Sequence, residues 1–277
     1  MTALPNHAVD APDAVRDRNW RDRVAHAFSR AAPHYRERAR AQQAMAERLL
    51  ERLPDRAGAV LDLGCGPGDM TAELARRYVD GDGDGDGDGD GGTIHGLDLA
   101  PGMLTEARRR HGEAIGWLCA DAADLPLPSA SLDLVASNLA IQWCPDLDAV
   151  LAELVRVLRP GGRALINTLA PGTLAEVGQA WQRPAGLLGF RDAACHRRAA
   201  HQAGFRRVEV TEHIERFHYP DLSAVMASIK GVGAQVARDG ARLSRADVAR
   251  AARRFERLRT EDGLPVSYHL LTLDLER

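Results

Sequence analysis

Short apolar runs alternate with stretches of helical spacing along most of this chain. The apolar runs are rich in Val, Leu and Ile and are bounded by Gly, Pro and Asp, which is typical of strands. Seven strands are predicted, at residues 59–63, 93–97, 116–119, 132–137, 164–168, 206–217 and 268–275. Because strands alternate with predicted helices, the strands should form a parallel sheet with right-handed crossovers. The pattern therefore predicts an α/β fold.

Two further helical segments accompany the predicted sheet. Residues 19–53 have apolar positions at helical spacing, which predicts an N-terminal cap of two helices broken near Pro33. Residues 220–266, between strands six and seven, are mostly helical and lie where they could cover a binding site. We therefore expect one domain over residues 19–277, preceded by a disordered tail at residues 1–18.

The first strand leads into a glycine-rich turn. Asp62 lies in this strand, and Gly64, Gly66 and Gly68 then open a helix, so the backbone can approach a ligand closely. A dinucleotide site would have its third glycine one place later, at Asp69, and Asp62 would repel a pyrophosphate. An amino group and a sulfonium suit that acid better. The turn therefore predicts a site for S-adenosylmethionine.

Further residues follow the other strands, at the sheet edge where ligands of open α/β sheets bind. Asp98 ends strand two, where its carboxylate can accept hydrogen bonds from both ribose hydroxyls, and Asp121 can accept one from the adenine amino group. Asn138 is expected near the methyl group, with Leu99 and Met103 on the adenine faces. A single Asp at a strand end is more often a helix cap. Several acids and amides at successive strand ends, together with the glycine turn, favour a binding site. The predicted cofactor-binding residues are Asp62, Gly64, Cys65, Gly66, Gly68, Asp98, Leu99, Met103, Asp121, Ala122 and Asn138.

Composition narrows the possible classes of function. The net charge of -3 contains six aspartates in one run, so the rest of the chain sums to about +3 (-3 + 6) and is rich in Arg. No concentrated basic stripe suggests a nucleic-acid partner. The four cysteines form no Cys-x-x-Cys pair, which favours reduced thiols. No predicted segment has membrane-spanning length. We therefore expect a cytoplasmic protein without a metal.

The aspartate run, residues 80–92, is nearly pure Gly-Asp repeat. Its regular carboxylates suggest calcium, but the spacing does not match an EF-hand and no closing Glu follows. Such a segment buries no apolar surface and its charges repel one another. We therefore predict a flexible connection that lengthens the loop before strand two at little cost in loop-closure entropy.

Several segments resemble a known family. The sheet pattern and glycine turn resemble class I S-adenosylmethionine-dependent methyltransferases. More specifically, residues 137–144 (Ser-Asn-Leu-Ala-Ile-Gln-Trp-Cys) are similar to the strand-four segment of the malonyl-acyl-carrier-protein O-methyltransferases of biotin synthesis. Residues 28–32, 228–234 and 265–270 are also similar to segments of that family, so the resemblance runs in order over residues 24–275.

The resemblance implies a Rossmann-like, seven-stranded and mostly parallel sheet whose strand seven is antiparallel. It also implies methylation of the free carboxyl of a malonyl thioester on acyl carrier protein. A carboxylate needs no general base, so hydrogen-bond donors and one cation should orient it. The predicted catalytic residues are Tyr35, Gln142, Trp143, Lys230 and His269.

The acceptor and the partner surface are less specified by sequence. Acyl carrier protein is acidic, so the docking face should be basic, with candidates Arg36, Arg38, Arg40, Arg191, Arg197 and Arg198. A small-molecule methyltransferase acting on a free dicarboxylate or a quinone precursor shares the cofactor half of the site. A protein that binds the cofactor without transferring methyl is a second alternative. The oligomeric state stays open.

Overall fold

The computed structural model describes residues 13–79, 92–181, 189–230 and 244–277, with the side chains of residues 13–17 and 230 excepted. Most of the predicted tail, the Gly-Asp repeat up to residue 91, and the middle of the predicted insert lie outside the described residues. Among the described helices, none combines the length and the apolar content needed to cross a membrane.

One sheet organises the described part of the chain. Its seven strands are β1 (Ala59–Leu63), β2 (Thr93–Asp98), β3 (Gly116–Cys119), β4 (Leu132–Asn138), β5 (Leu158–Leu169), β6 (Arg207–Tyr219) and β7 (Leu264–Glu276). They lie in the order β3-β2-β1-β4-β5-β7-β6. The first five pair in parallel, whereas β7 is antiparallel to both β5 and β6. The predicted fold class, including the antiparallel seventh strand, is confirmed.

Helices connect the strands and precede the sheet. They are α1 (Asp13–Ala31), α2 (Tyr35–Arg38), α3 (Arg40–Leu50), α4 (Asp69–Tyr78), α5 (Pro101–His111), α6 (Leu147–Val157), α7 (Ala175–Trp181), α8 (Ala193–Ala203), α9 (Leu222–Lys230) and α10 (Arg245–Glu256). Helix α1 begins within the stretch predicted as a tail and ends just before Pro33, which occupies a short 3-10 turn. Proline has no N–H and fixes its φ, so the break falls where the sequence placed it.

Strand β5 begins six residues earlier than predicted. The sequence Arg-Pro-Gly-Gly at residues 159–162 is typical of a turn, yet these residues lie within the strand. The pairing between β4 and β5 shifts register between Leu132 and Leu134, and Gly161 has a φ of 81°. A β-bulge absorbs such a kink without ending the strand. Glycine and proline therefore bend this strand instead of terminating it.

The central strands of the sheet are buried on both faces, which explains their apolar character. Val60 pairs with Leu134, and both pack in the cluster under α4 and α5. Their chain neighbours Leu61 and Val135 pack in the cluster on the opposite face, under α6 and α8. Alternate residues of one strand thus support two helical layers. This packing fixes the carboxyl ends of β1 to β4 along one edge.

Candidate functional site

A cavity opens at the carboxyl ends of β1 to β4, and we call it the strand-end cavity. It combines residues from the glycine turn, the strand ends and helix α1. Its lining residues are Arg21, Val24, Phe28, Tyr35, Leu63, Gly64, Gly66, Leu97, Asp98, Leu99, Met103, Ala120, Asp121, Ala122, Asn138, Leu139, Ala140, Ile141, Trp143, Cys144 and Pro145. Of the predicted cofactor-binding residues, Asp62, Cys65 and Gly68 are outside this lining. The others are brought together as predicted.

The glycine turn is held against the sheet by backbone hydrogen bonds. The amides of Gly64 and Cys65 both donate to the carbonyl of Leu97, at 2.7 and 2.9 Å. Gly64 has a φ of 76°, and a Cβ there would collide with the Cβ of Ala140. Gly66 has a φ of 55°, and a Cβ there would meet nothing within 4 Å. The turn therefore packs tightly at its first glycine and leaves open space at its second.

Asp98 joins the glycine turn to the loop after β2. Its Oδ2 accepts a 2.9 Å hydrogen bond from the amide of Gly66, and its Oδ1 accepts one of 2.7 Å from the amide of Ala100. Burial raises the pKa of Asp98 to about 6, although these two hydrogen bonds lower it. A carboxylate can accept about four hydrogen bonds. Asp98 is thus fixed in place and still has acceptor capacity for two ribose hydroxyls.

Asp62 lies behind the glycine turn, with no exposed surface. Its Oδ2 accepts a 2.6 Å hydrogen bond from the hydroxyl of Thr71, whereas its Oδ1 has no partner among the described residues. The pKa of Asp62 is raised to about 7, chiefly by burial; the hydrogen bond from Thr71 lowers it, and the charge of Asp98 contributes to the rise. An unpartnered buried oxygen is costly, so a ligand amino group or a bridging water suits it. Contact through water fits a residue outside the lining.

The far end of the cavity lies beyond β3. Asp121 accepts a 2.9 Å hydrogen bond from the amide of Ala123 through its Oδ1. Leu99 and Met103 line the same cavity, and Met103 is buried. Apolar walls beside one fixed carboxylate suit a planar aromatic ring that carries an amino group. This end therefore has the chemistry predicted for adenine binding.

Residues 138 and 139 form a strained corner after β4. Asn138 donates through its Nδ2 to the carbonyl of Gln42 at 3.0 Å and accepts from the Nδ2 of Asn167 at 3.2 Å. Leu139 adopts a φ of 57°, which L-residues seldom take, and its amide donates to the Asn167 carbonyl at 2.9 Å. Such strain persists where the surroundings hold it, often at functional sites. The corner presses Ala140 against Gly64.

Helix α1 forms a wall that sequence reasoning did not place at the site. Arg21, Val24 and Phe28 line the cavity together. Their spacing of three and four residues puts them on one face of the helix. The signal was present in the helical pattern, but a pattern does not reveal which neighbouring surface its apolar face covers. Leu139 to Ile141, Cys144 and Pro145 were missed as lining for the same reason.

The predicted catalytic residues separate into three groups. Tyr35 and Trp143 line the strand-end cavity. Gln142 is outside the lining, because its Nε2 donates to the Leu139 carbonyl at 2.6 Å and its Oε1 accepts from Thr168 at 3.2 Å. His269 is also outside, with its ring against Gly172. Of Lys230 only the backbone is described, at the end of α9.

The surroundings of the Tyr35 hydroxyl raise its pKa. Burial raises its pKa, and the charges of Asp98 and Asp69 raise it further. Tyr35 therefore keeps its proton at neutral pH and can serve as a hydrogen-bond donor.

The predicted docking arginines also differ in their surroundings. Arg191 donates through its Nη2 to the carbonyls of Cys144 and Pro145, at 3.2 and 2.6 Å. Arg197 donates to the Val210 carbonyl at 2.9 Å. Arg191 thus supports the wall of the strand-end cavity. Arg36, Arg38, Arg40, Arg197 and Arg198 are exposed.

The charges of the cavity suit a cationic ligand. Asp98 and Asp121 line it, Asp62 lies behind it, and two of these acids have raised pKa values, to about 6 and about 7. A cation nearby would favour their ionised forms, whereas a phosphate pair would oppose them. The open side of Gly66 gives room for close approach. The residues therefore fit S-adenosylmethionine better than a dinucleotide. Among the described residues, no cluster of three His, Cys, Asp or Glu side chains could hold a metal.

Comparison with known sequences agrees with this geometry. A sequence profile described as a methyltransferase domain matches residues 61–166. A malonyl-acyl-carrier-protein O-methyltransferase from Serratia marcescens is 39% identical over 257 residues, covering 89% of this chain and 92% of that protein. The biotin biosynthesis bifunctional protein BioHC of Cellvibrio japonicus is 36% identical over 262 residues, covering 91% of this chain. The chain spans 49% of BioHC, about half its length.

Solved structures share the fold. The YcgJ protein of Bacillus subtilis superposes with a TM-score of 0.57 at 15% identity, covering 86% of this chain and 97% of that one. Phosphoethanolamine N-methyltransferase 2 of Haemonchus contortus, solved with S-adenosyl-L-methionine, gives a TM-score of 0.53 at 19% identity, covering 99% of this chain and 61% of that one. The predicted fold is confirmed by these structures, and the predicted methyl donor by the methyltransferase profile and the related sequences. With relatives this similar over nine tenths of its length, the chain belongs to the malonyl-acyl-carrier-protein O-methyltransferase family.

Proposed function

We propose that this protein transfers the methyl group of S-adenosylmethionine to the free carboxylate of a malonyl thioester on acyl carrier protein. The product is the methyl ester of the malonyl thioester. Its formation is the first step toward the pimeloyl chain of biotin. The observation that carries the proposal is the similarity to the malonyl-acyl-carrier-protein O-methyltransferase of Serratia marcescens, which is 39% identical over 89% of this chain. The acidic strand-end cavity supports the cofactor half of the reaction.

The chemistry requires little of the protein beyond position and exclusion of water. A carboxylate is ionised at neutral pH, so its oxygen can form the new O–C bond without a base. The C–S bond breaks with its electrons going to sulfur, and no proton is transferred. Holding the two reactants in line supplies much of the rate enhancement. Helix α1 forms one wall of the strand-end cavity and would help to exclude water once the reactants are bound.

We assign the acceptor end of the site to Tyr35 and Trp143. Both line the strand-end cavity, and the protonated Tyr35 hydroxyl can donate to a carboxylate oxygen. A single neutral donor orients the nucleophile without removing its charge. Gln142 is better placed to support the Leu139 corner. Lys230 and His269 stay predicted substrate contacts.

We assign carrier-protein docking to exposed arginines near Tyr35. Arg38 and Arg40 are exposed on either side of the Ala39 turn. Arg36 is exposed as well, with its Nε 3.8 Å from the Oδ1 of Asp69. A basic rim would attract an acidic carrier and make association sensitive to salt.

An assay with labelled methyl donor tests the proposal. Malonyl-acyl carrier protein, malonyl coenzyme A, free malonate and trans-aconitate are compared as acceptors at equal concentration. We expect the carrier-bound thioester to react with the highest kcat/KM and the product to be a base-labile methyl ester. Equal or better turnover of a free acid would support a small-molecule methyltransferase instead. Tight donor binding without transfer to any acceptor would support a cofactor-binding protein.

A further inference from the structure

Arg21 carries a buried N–H donor that is not aligned with any acceptor among the described residues. Its Nε lies 2.9 Å from the Oδ2 of Asp121, so the two side chains form an ion pair. The same Nε is buried, yet no acceptor among the described residues is aligned with its N–H. A buried N–H donor without an aligned acceptor is unfavourable, because it has lost its hydrogen bond to water. Since Arg21 lines the strand-end cavity, a ligand there can supply the missing acceptor.

Asp121 beside it offers the opposite group. Its Oδ1 is fixed by the amide of Ala123, and its Oδ2 is fixed by Arg21. Each carboxylate oxygen still has a free lone pair. An N–H donor and a carboxylate acceptor therefore lie side by side at the far end of the cavity.

Adenine has the complementary pattern. On its Watson–Crick edge the exocyclic amino group donates and the neighbouring N1 accepts. That edge points away from the ribose, and Asp121 follows β3, two strands away from the glycine turn after β1. Leu99 and Met103 also line the cavity and can supply apolar contacts for the ring.

We propose that Arg21 is a specificity-determining residue of the methyl-donor site, whose Nε–H donates to adenine N1 while Asp121 accepts from the adenine amino group. The inference rests on the proposed function only in taking S-adenosylmethionine as the ligand. It assigns to α1 a direct part in reading the cofactor, in addition to covering it. Val24 and Phe28 bring the same helix face over the cavity.

The experiment measures dissociation constants of three adenosylhomocysteine ligands by calorimetry. One is the parent compound, one is its 1-deaza analogue, in which N1 is replaced by C–H, and one is its 7-deaza analogue, which keeps N1. The wild-type protein should bind the 1-deaza analogue at least tenfold more weakly than the parent. The 7-deaza analogue should bind within about threefold of the parent.

The same three ligands are then measured on two variants. Arg21→Met keeps an unbranched side chain but removes the donor, so it should bind the parent at least tenfold more weakly and no longer discriminate against the 1-deaza analogue. Arg18→Met removes an exposed charge from the same helix and should behave as wild type. A merely structural role of Arg21 would weaken all three ligands equally and keep the discrimination.

Failure of the inference and failure of the proposed function are distinguishable. If Arg21→Met keeps the wild-type preference for the parent over the 1-deaza analogue, the assignment of Arg21 is wrong and the proposed function stands. If the loss falls on the 7-deaza analogue instead, the N1 contact is likewise wrong. If the wild-type protein binds none of the ligands, the methyl-donor site itself is wrong.

Discussion

The indole Nε1 of Trp20 donates a 2.9 Å hydrogen bond to the backbone carbonyl of Trp143, 123 residues away in sequence. Phe28, in the same helix as Trp20, also contacts Trp143: the two rings meet edge to face at a centroid distance of 5.3 Å. Helix α1 is therefore attached to the segment after β4 that lines the strand-end cavity. Cofactor binding and the order of α1 should depend on each other.

Trp20→Phe tests this link. The substitution removes the indole donor and keeps an aromatic ring, so the net loss should be about 1 kcal/mol, or about fivefold in adenosylhomocysteine affinity. Amide hydrogen exchange should accelerate in α1 and change little in β1 to β5. Unchanged affinity, with only a lower melting temperature, would mean that the hydrogen bond stabilises the fold and not the site.

Tyr35→Phe separates the acceptor from the donor. It removes the hydroxyl proposed to orient the malonyl carboxylate and leaves the ring in the cavity wall. We expect kcat to fall about 10- to 100-fold while adenosylhomocysteine affinity changes less than about threefold. Tyr78→Phe is the matched control, since the Tyr78 hydroxyl donates to the Pro54 carbonyl. A similar loss in both variants would argue against a role in catalysis.

The sequence predicted the cofactor half of the site because that half is local. Asp62, Asp98 and Asn138 occupy strand ends, and the period of the apolar residues was enough to place those ends on one edge. It did not predict that α1 covers the cavity. Arg21 and Asp121 are far apart in the chain, and their contact produces no periodic pattern in the sequence.

The acceptor half was harder for a related reason. Gln142 has a polar group suited to a carboxylate, and sequence cannot show that neighbours already use it. In the structure Thr168 and the Leu139 carbonyl bind Gln142. A single sequence gives the type of a polar side chain but not its direction.

Gly64 and Gly66 of the glycine turn offer a matched pair of substitutions. Both have positive φ, so Ala at either position costs about 1–2 kcal/mol of backbone strain. At Gly64 the new methyl would also collide with Ala140, which adds about 1–3 kcal/mol. Gly64→Ala should therefore unfold at clearly lower urea concentration than Gly66→Ala.

For ligand binding the two substitutions should differ in another way. The methyl of Gly66→Ala would point into open space at the cavity, so that variant should fold and yet bind adenosylhomocysteine weakly. If Gly66→Ala binds as wild type, the ligand does not approach the second glycine. If Gly64→Ala is as stable as Gly66→Ala, the corner at Ala140 must yield more readily than its packing implies.

The ligand-free protein should lose stability as pH rises through the range that titrates Asp62. Burial raises the pKa of Asp62 to about 7, against an ordinary value of 3.8. Between about pH 4 and pH 7 the native state therefore keeps a proton that the unfolded state has lost. This group then lowers the free energy of unfolding by about 1.4 kcal/mol per pH unit, and the slope ends above about pH 7.

Urea unfolding between about pH 5 and pH 8 isolates that contribution when Asp62→Asn is compared with wild type. Carboxylates remote from Asp62, such as Glu106 with its pKa lowered to about 2, contribute equally in both proteins. The substituted amide can still accept from Thr71 but does not titrate. The stability of Asp62→Asn relative to wild type should thus increase with pH up to about 7. Parallel pH profiles would show that Asp62 does not hold the proton.

Donor binding should show the opposite dependence on pH. A sulfonium and an amino group near Asp62 and Asp98 favour the ionised carboxylates, so binding should release protons below about pH 7. S-adenosylmethionine affinity should then rise with pH from about 5 to 7, more steeply than that of adenosylhomocysteine, which lacks the sulfonium charge. Calorimetry at about pH 6 in buffers of different ionisation enthalpy measures the protons released. Equal release for both ligands would mean that the sulfonium lies too far from these acids to affect them, whereas a larger release for S-adenosylmethionine would place its charge beside them.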